Sequence, residues 1–146
     1  MEKTFESRSP AETAAIAQEF LKHVKAGDVV CLEGDLGAGK TAFTQAFACA
    51  AGVERPVTSP TFCIVSEYEA RDWRLAHMDL YRLSGPDDVL ACGWEEFLSR
   101  GYVVFVEWPG CARDLIPPGA WRVEIEHGTG PESRRIKISR PGEGVF

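Results

Sequence analysis

Gly34-Asp35-Leu36-Gly37-Ala38-Gly39-Lys40-Thr41 matches the pattern G-x-x-x-x-G-K-[ST] of a phosphate-binding loop. Its flanks carry the second half of the signal. Asp28-Val29-Val30-Cys31-Leu32-Glu33 is a short apolar run with strand character, and Thr41 to Ala51 is rich in Ala and Phe, without Gly or Pro until Gly52. Strand, glycine loop and helix in that order predict a phosphate-loop α/β fold. The glycines let main-chain N–H groups curl around an anion, and the new helix presents its unpaired N–H groups and positive dipole end to the same place. In such a loop Lys40 reaches the β- and γ-phosphates and the Thr41 hydroxyl ligates Mg²⁺.

Working outward, Ser9-Pro10-Ala11-Glu12 is a capping box with proline at the first helical position. The helix it opens carries Ile16, Phe20, Leu21 and Val24 on one stripe, and Gly27 is its expected stop. Beyond the loop helix, Thr58-Ser59-Pro60-Thr61 must be extended or turned because of Pro60. A hydroxyl there is placed as in the switch segments of phosphate-loop proteins, although such a stretch also serves as an ordinary turn. Phe62 to Tyr68 alternates, turns at Glu69-Ala70-Arg71-Asp72 and returns as Trp73 to Met78, an expected antiparallel hairpin beside a parallel core. Ser84-Gly85-Pro86 opens a short helix, Asp87 to Ala91, and Gly93 separates it from Trp94 to Ser99. Tyr102-Val103-Val104-Phe105-Val106 suits a buried parallel strand. Trp121 to Glu126 and Arg135 to Ser139 form a last hairpin, Arg113 to Gly119 reads as loop, and residues 141–146 read as a tail. The whole, residues 1–146, is expected to be one domain: a mixed, mainly parallel sheet flanked by helices, with antiparallel hairpins inserted.

Composition narrows the function. The 146 residues are 45% hydrophobic and 26% charged, ordinary for a globular chain. No apolar stretch reaches the ~20 residues of a membrane span, and Met1 to Phe5 lacks a signal-peptide core, so a cytoplasmic protein is expected. The five cysteines, Cys31, Cys49, Cys63, Cys92 and Cys111, include no C-x-x-C pair and read as reduced thiols. A net charge of −6 opposes a direct grip on nucleic acid. If the chain works on RNA, a partner holds the RNA.

Nucleotide hydrolysis also requires an acid near the metal. Glu107 follows the apolar run directly, and Asp79 follows Leu75-Ala76-His77-Met78; either can hold Mg²⁺ through water or orient the attacking water. His77-Met78-Asp79-Leu80-Tyr81-Arg82 packs four kinds of polar side chain into one short stretch, and alternation sends His77, Asp79 and Tyr81 to one face. The chain has no asparagine, so the Asn-Lys-x-Asp guanine reader of GTPases is absent. An arginine-rich lid is not evident either, which favours ATP hydrolysis over small-molecule phosphoryl transfer. A small-molecule kinase and a nucleotide-sensing adaptor that need not hydrolyse are the alternatives.

Taken together, the loop at 34–41, Thr58-Ser59-Pro60-Thr61-Phe62, His77-x-Asp79-x-Tyr81-Arg82-Leu83 and Val106-Glu107-Trp108-Pro109 resemble the TsaE (YjeE) family, in order and over nearly the whole chain. The resemblance implies a Mg-dependent ATPase needed to form threonylcarbamoyladenosine on the tRNA base beside the anticodon. It implies ATP phosphates on Leu36, Gly37, Ala38, Gly39, Lys40 and Thr41, Mg²⁺ held by Thr41 and Glu107, Asp79 as a further carboxylate required for hydrolysis, and Trp108 packed close to the nucleotide. It also implies partners: the transferase subunits TsaD and TsaB, with tRNA met only through them. Ala42 stands where a second hydroxyl is common in the family.

Overall fold

The computed structural model describes residues 1–35, 37–58 and 65–142. Its strands are β1 (Glu2–Ser7), β2 (Val29–Glu33), β3 (Val65–Glu69), β4 (Arg74–Asp79), β5 (Val103–Glu107), β6 (Trp121–His127) and β7 (Arg134–Ser139). Its helices are α1 (Pro10–Leu21), α2 (Lys40–Ala50), α3 (Pro86–Ala91) and α4 (Trp94–Ser99), with a 3₁₀ helix at Pro109–Leu115. One seven-stranded sheet runs in the order β1-β7-β6-β2-β5-β4-β3. The four central strands are parallel, with β2 between β6 and β5, and β4 beyond β5. The flanks are antiparallel: β3 on β4 at one edge, β7 on β6 and then β1 on β7 at the other. This is the expected mixed sheet with inserted hairpins.

Alternation along each central strand divides two cores. Val103 and Phe105 face one way, with Val30, Leu32, Leu75 and Val123, under α1 and α2. Val104 and Val106 face the other way, with Val29, Cys31, Ala76 and Met78, under α3, α4 and the 3₁₀ helix. The first core is aromatic. Phe47 lies 4.6 Å from Phe105, and Phe20 meets Trp121 edge-on at 5.1 Å between ring centroids. That packing fixes α2, and with it the loop that α2 continues.

Several local expectations are corrected. Strand β1 was not foreseen; it covers the β7 edge, and Ser7 Oγ binds Thr13 Oγ1 at 2.7 Å, tying that edge to α1. The α1 stripe stops at Leu21, not at Gly27. Val24 still reaches the core from the following turn, where its N–H bonds to the Leu21 carbonyl at 3.2 Å. Ser9 caps α1 as expected, its hydroxyl accepting from the Glu12 N–H at 3.2 Å, while the Glu12 carboxylate reaches back to the Arg8 N–H. Part of the stretch read as loop, Arg113 to Leu115, belongs to the 3₁₀ helix that Pro109 initiates. The expected start of β3 at Phe62 and the end of the tail, residues 143–146, lie outside the described residues.

Candidate functional site

The loop between β2 and α2 is held by backbone geometry that side chains would oppose. Gly34, Gly37 and Gly39 adopt φ values of 155°, 81° and 107°. At Gly34 the demand is also steric, since a Cβ there would sit 2.4 Å from the Ile125 carbonyl oxygen of β6. The Ala38 N–H closes a turn on the Asp35 carbonyl at 3.0 Å, and Gly39 leads into α2 with Lys40 as its first residue. The α2 N-terminus therefore lies at the C-terminal ends of the parallel strands, where open α/β sheets bind ligands.

Strand β5 delivers Glu107 to the same place. Residue pairs Leu32–Glu107 and Asp79–Glu107 are in register, so the ends of β2, β5 and β4 are level. Glu107 is buried (4% exposed), and both carboxylate oxygens are directed: Oε2 accepts from His77 Nε2 at 2.8 Å, and Oε1 lies 4.0 Å from Lys40 Nζ. Lys40 is buried too, with its ammonium 3.9 Å from the centre of the Trp108 ring. Tyr81, largely exposed, also packs against that indole, at 5.1 Å between ring centroids. Trp108 is the one non-glycine residue among those described with positive φ (55°, ψ 61°), and it precedes Pro109, a position where αL costs about 1–3 kcal/mol. The strained turn aims the indole across Lys40.

Asp79 ends β4 beside Glu107, half-buried, and its Oδ1 accepts from the Tyr81 N–H at 3.0 Å. Because β4 stops at Asp79, Tyr81 has left the strand, so the expected single face of His77, Asp79 and Tyr81 does not form. His77 is fully buried and Tyr81 is in solvent. Thr41 is half-buried in the first turn of α2, and its hydroxyl makes no hydrogen bond to the described residues. Leu36 and Ser59-Pro60-Thr61-Phe62 lie outside the described residues; Thr58, just before them, meets the Tyr68 hydroxyl through its N–H at 3.3 Å.

A cleft of about 500 Å³ opens between these groups, lined by Asp35, Lys40, Leu80, Tyr81, Trp108 and Cys111. On the other side of the loop a hollow of about 380 Å³ lies among Ser9, Thr13, Gly39, Ala42, Gln45 and Arg134. Arg134 went unrecognised in the sequence as a neighbour of the loop. A Cβ on Gly39 would sit 3.5 Å from its Nε, and its guanidinium bonds only to the Pro131 and Ser133 carbonyls, with no carboxylate among the described residues. Only the sheet register, which sets the start of β7 beside β6, reveals this placement. A further hollow, about 780 Å³ around Arg113, Pro117, Arg122 and Arg140, is lined by none of the loop residues 37–41.

The donor set fits Mg²⁺ held together with phosphate oxygens. It offers one uncommitted hydroxyl and one buried carboxylate, both hard oxygen ligands. No group of three or more His, Cys, Asp or Glu among the described residues could hold a metal by itself, so the remaining ligands must come from water and the bound anion. Three thiols, Cys31, Cys92 and Cys111, are held in their protonated form. Burial pushes the Cys31 thiol up to about 11, and burial likewise raises Cys92 and Cys111.

A phosphate-loop sequence opening a packed helix, with a buried Lys–Glu pair at the ends of parallel strands, places the chain among α/β proteins of the phosphate-loop class. Comparison with known proteins narrows this. The family model described as threonylcarbamoyl adenosine biosynthesis protein TsaE matches residues 7–136. The tRNA threonylcarbamoyladenosine biosynthesis protein TsaE of Bacillus subtilis is 40% identical over 134 residues, covering 92% of this chain and 83% of its own. The protein of the same name from Aquifex aeolicus is 42% identical over 68% of this chain and 71% of its own. The crystal structure of YdiB from Bacillus subtilis superposes with a TM-score of 0.79 at 35% identity, covering 97% of this chain and 87% of that one. The chain belongs to the TsaE family.

Proposed function

We propose that this protein is a Mg-dependent ATPase that acts in the formation of threonylcarbamoyladenosine on tRNA while docked on TsaB- and TsaD-type transferase subunits. The observation that carries the reading is the convergence of Lys40, Thr41 and Glu107 at the start of α2, in a member of a family named for that biosynthesis. Lys40 meets both Glu107 and the Trp108 ring. A triphosphate on the loop would be a stronger anionic partner for Lys40, and Glu107 and the Thr41 hydroxyl would hold the metal. Mg²⁺ held there would supply neutralisation of charge on the phosphates.

The loop amides at Gly37, Ala38 and Gly39 would cradle the phosphates, with Leu36 completing the turn. The base and ribose would extend over Gly39 into the hollow by Ser9, Thr13 and Arg134, where Arg134 and Glu132 offer polar groups to them. Asp79 sits one strand from Glu107 and keeps one carboxylate oxygen free to orient water. Among the described residues no helix is long and apolar enough to cross a membrane. The acidic balance of −6 supports tRNA being met through the partners, and a cytoplasmic setting follows from that role.

The test is hydrolysis of γ-labelled ATP with and without purified transferase subunits, alongside multi-turnover tRNA modification. Weak release of free phosphate alone, stimulated by the subunits, is expected. Lys40→Ala and Glu107→Ala should not sustain repeated modification cycles. Full multi-turnover modification by either variant, or label appearing on a metabolite, would overturn the reading.

A further inference from the structure

His77 occupies a position that the fold would fill more cheaply with an apolar residue. It lies on β4 between Leu75 and Asp79, on the sheet face packed under α2, with no exposed surface. Leu75 and Phe105 on the same face belong to the aromatic and aliphatic core there. Burying an imidazole in such a place carries a desolvation cost unless its nitrogens are satisfied. His77 satisfies only one. Nε2 meets Glu107 at 2.8 Å, whereas Nδ1 is the buried side-chain nitrogen left without a partner among the described residues.

The satisfied nitrogen shows what His77 contributes. An ionised carboxylate can only accept, so the shared proton sits on Nε2 and the imidazole donates to Oε2. That bond fixes one oxygen of a side chain with three rotatable torsions. With Oε2 held from below the sheet end, Oε1 is turned toward Lys40 and the loop. The Lys40 contact is long, at 4.0 Å, and a bound triphosphate competes for that ammonium. The His77 bond is therefore the one that persists when Lys40 leaves. The pairing depends on β4–β5 register, which sets His77 beside Phe105 and Asp79 beside Glu107.

We infer that His77 is a positioning residue for nucleotide-bound metal: its Nε2–H holds Glu107 so that Oε1 faces the loop and ligates the ion without reorganising. This rests on the proposed role of Glu107 toward Mg²⁺. Groups that orient metal-binding carboxylates in this way typically govern affinity by about 10–100-fold.

The test separates holding Glu107 from filling space. The full chain carrying His77→Asn, His77→Gln or Glu107→Gln is titrated with Mg²⁺ in saturating ADP, following tryptophan emission, and with ADP alone in a chelator. The Gln amide reaches where Nε2 lies, and the shorter Asn amide does not. His77→Asn should need about 10–100-fold more Mg²⁺, His77→Gln should stay within about threefold of wild type, and metal-free ADP affinity should be unchanged in both. His77→Phe, which fills the apolar volume and offers no donor, should behave as Asn does and stands in if Asn does not fold. Wild-type Mg²⁺ dependence in the Asn or Phe variant, while Glu107→Gln is weakened, would overturn the inference and leave the Glu107 reading intact. Wild-type dependence in Glu107→Gln itself would remove that reading and this inference together.

Discussion

The two faces of the sheet bury very different chemistry. Under α1 and α2 the apolar core is interrupted, at the ends of the parallel strands, by Lys40, His77 and Glu107. Under α3, α4 and the 3₁₀ helix the buried cluster is apolar apart from the Cys31 thiol, the Tyr102 hydroxyl and the Trp94 indole N–H. Buried charge costs several kcal/mol per ion before pairing, so its confinement to one end of one face marks where the molecule accepts instability in exchange for a binding function. The opposite face is scaffold. Substitutions on the two faces should therefore fail in different ways.

The largest effect is expected at Lys40. Lys40→Ala removes the cation aimed at the phosphates and should lower ATP hydrolysis, measured with the transferase subunits present, by about 10³-fold or more, with circular dichroism unchanged. The counterpart on the scaffold face is Trp94, 2% exposed and buried among Val89, Tyr102 and their neighbours. Trp94→Ala should cost about 3–5 kcal/mol in urea unfolding while nucleotide affinity per folded molecule stays at the wild-type value.

Cys31 gives a pH test of the same contrast. Its thiol titrates near 11 in the fold, against an ordinary value of 9.0, because burial penalises the thiolate. The folded state keeps that proton between pH 9 and 11 while the unfolded chain releases it, so stability should fall as pH rises through this window. The expected loss is about 2–3 kcal/mol, and Cys31→Val should abolish that component of the pH dependence. The smallest effect should come from the α1 cap. Ser9→Ala should lower stability by about 1 kcal/mol in the same unfolding measurement.

What the sequence made readable was local. The 34–41 loop, the cap at Ser9, the separated helices around Gly93 and the hairpin of β6 and β7 each carry their signal within a few residues. The features that escaped depend on long-range pairing. Strand β1 reads Glu-Lys-Thr-Phe-Glu-Ser, too charged to announce a strand, because one face of it forms an ion-pair ladder: Glu2 with Lys137 and Glu6 with Arg135. The His77–Glu107 bond joins residues 30 apart, and Arg134 meets the loop only through sheet register. Tyr81 was misplaced because alternation was extended past the end of β4, where Asp79 turns the chain by accepting from the Tyr81 N–H. The site's acids were visible as strand-end carboxylates, but which of them is buried against Lys40 required the parallel register of β2, β5 and β4.

Strand β1 has one more consequence. As the outermost strand on its side it presents free main-chain groups to any extended peptide that drifts alongside. Its broad face is studded with Glu2 and Glu6, already matched to cations on β7, so a second copy laid against the edge would bring its own acids beside these without fresh cations to answer them. Like-charge repulsion would oppose such edge pairing, and a chain with Glu2 and Glu6 both replaced by Val should self-associate more readily than the parent in light scattering.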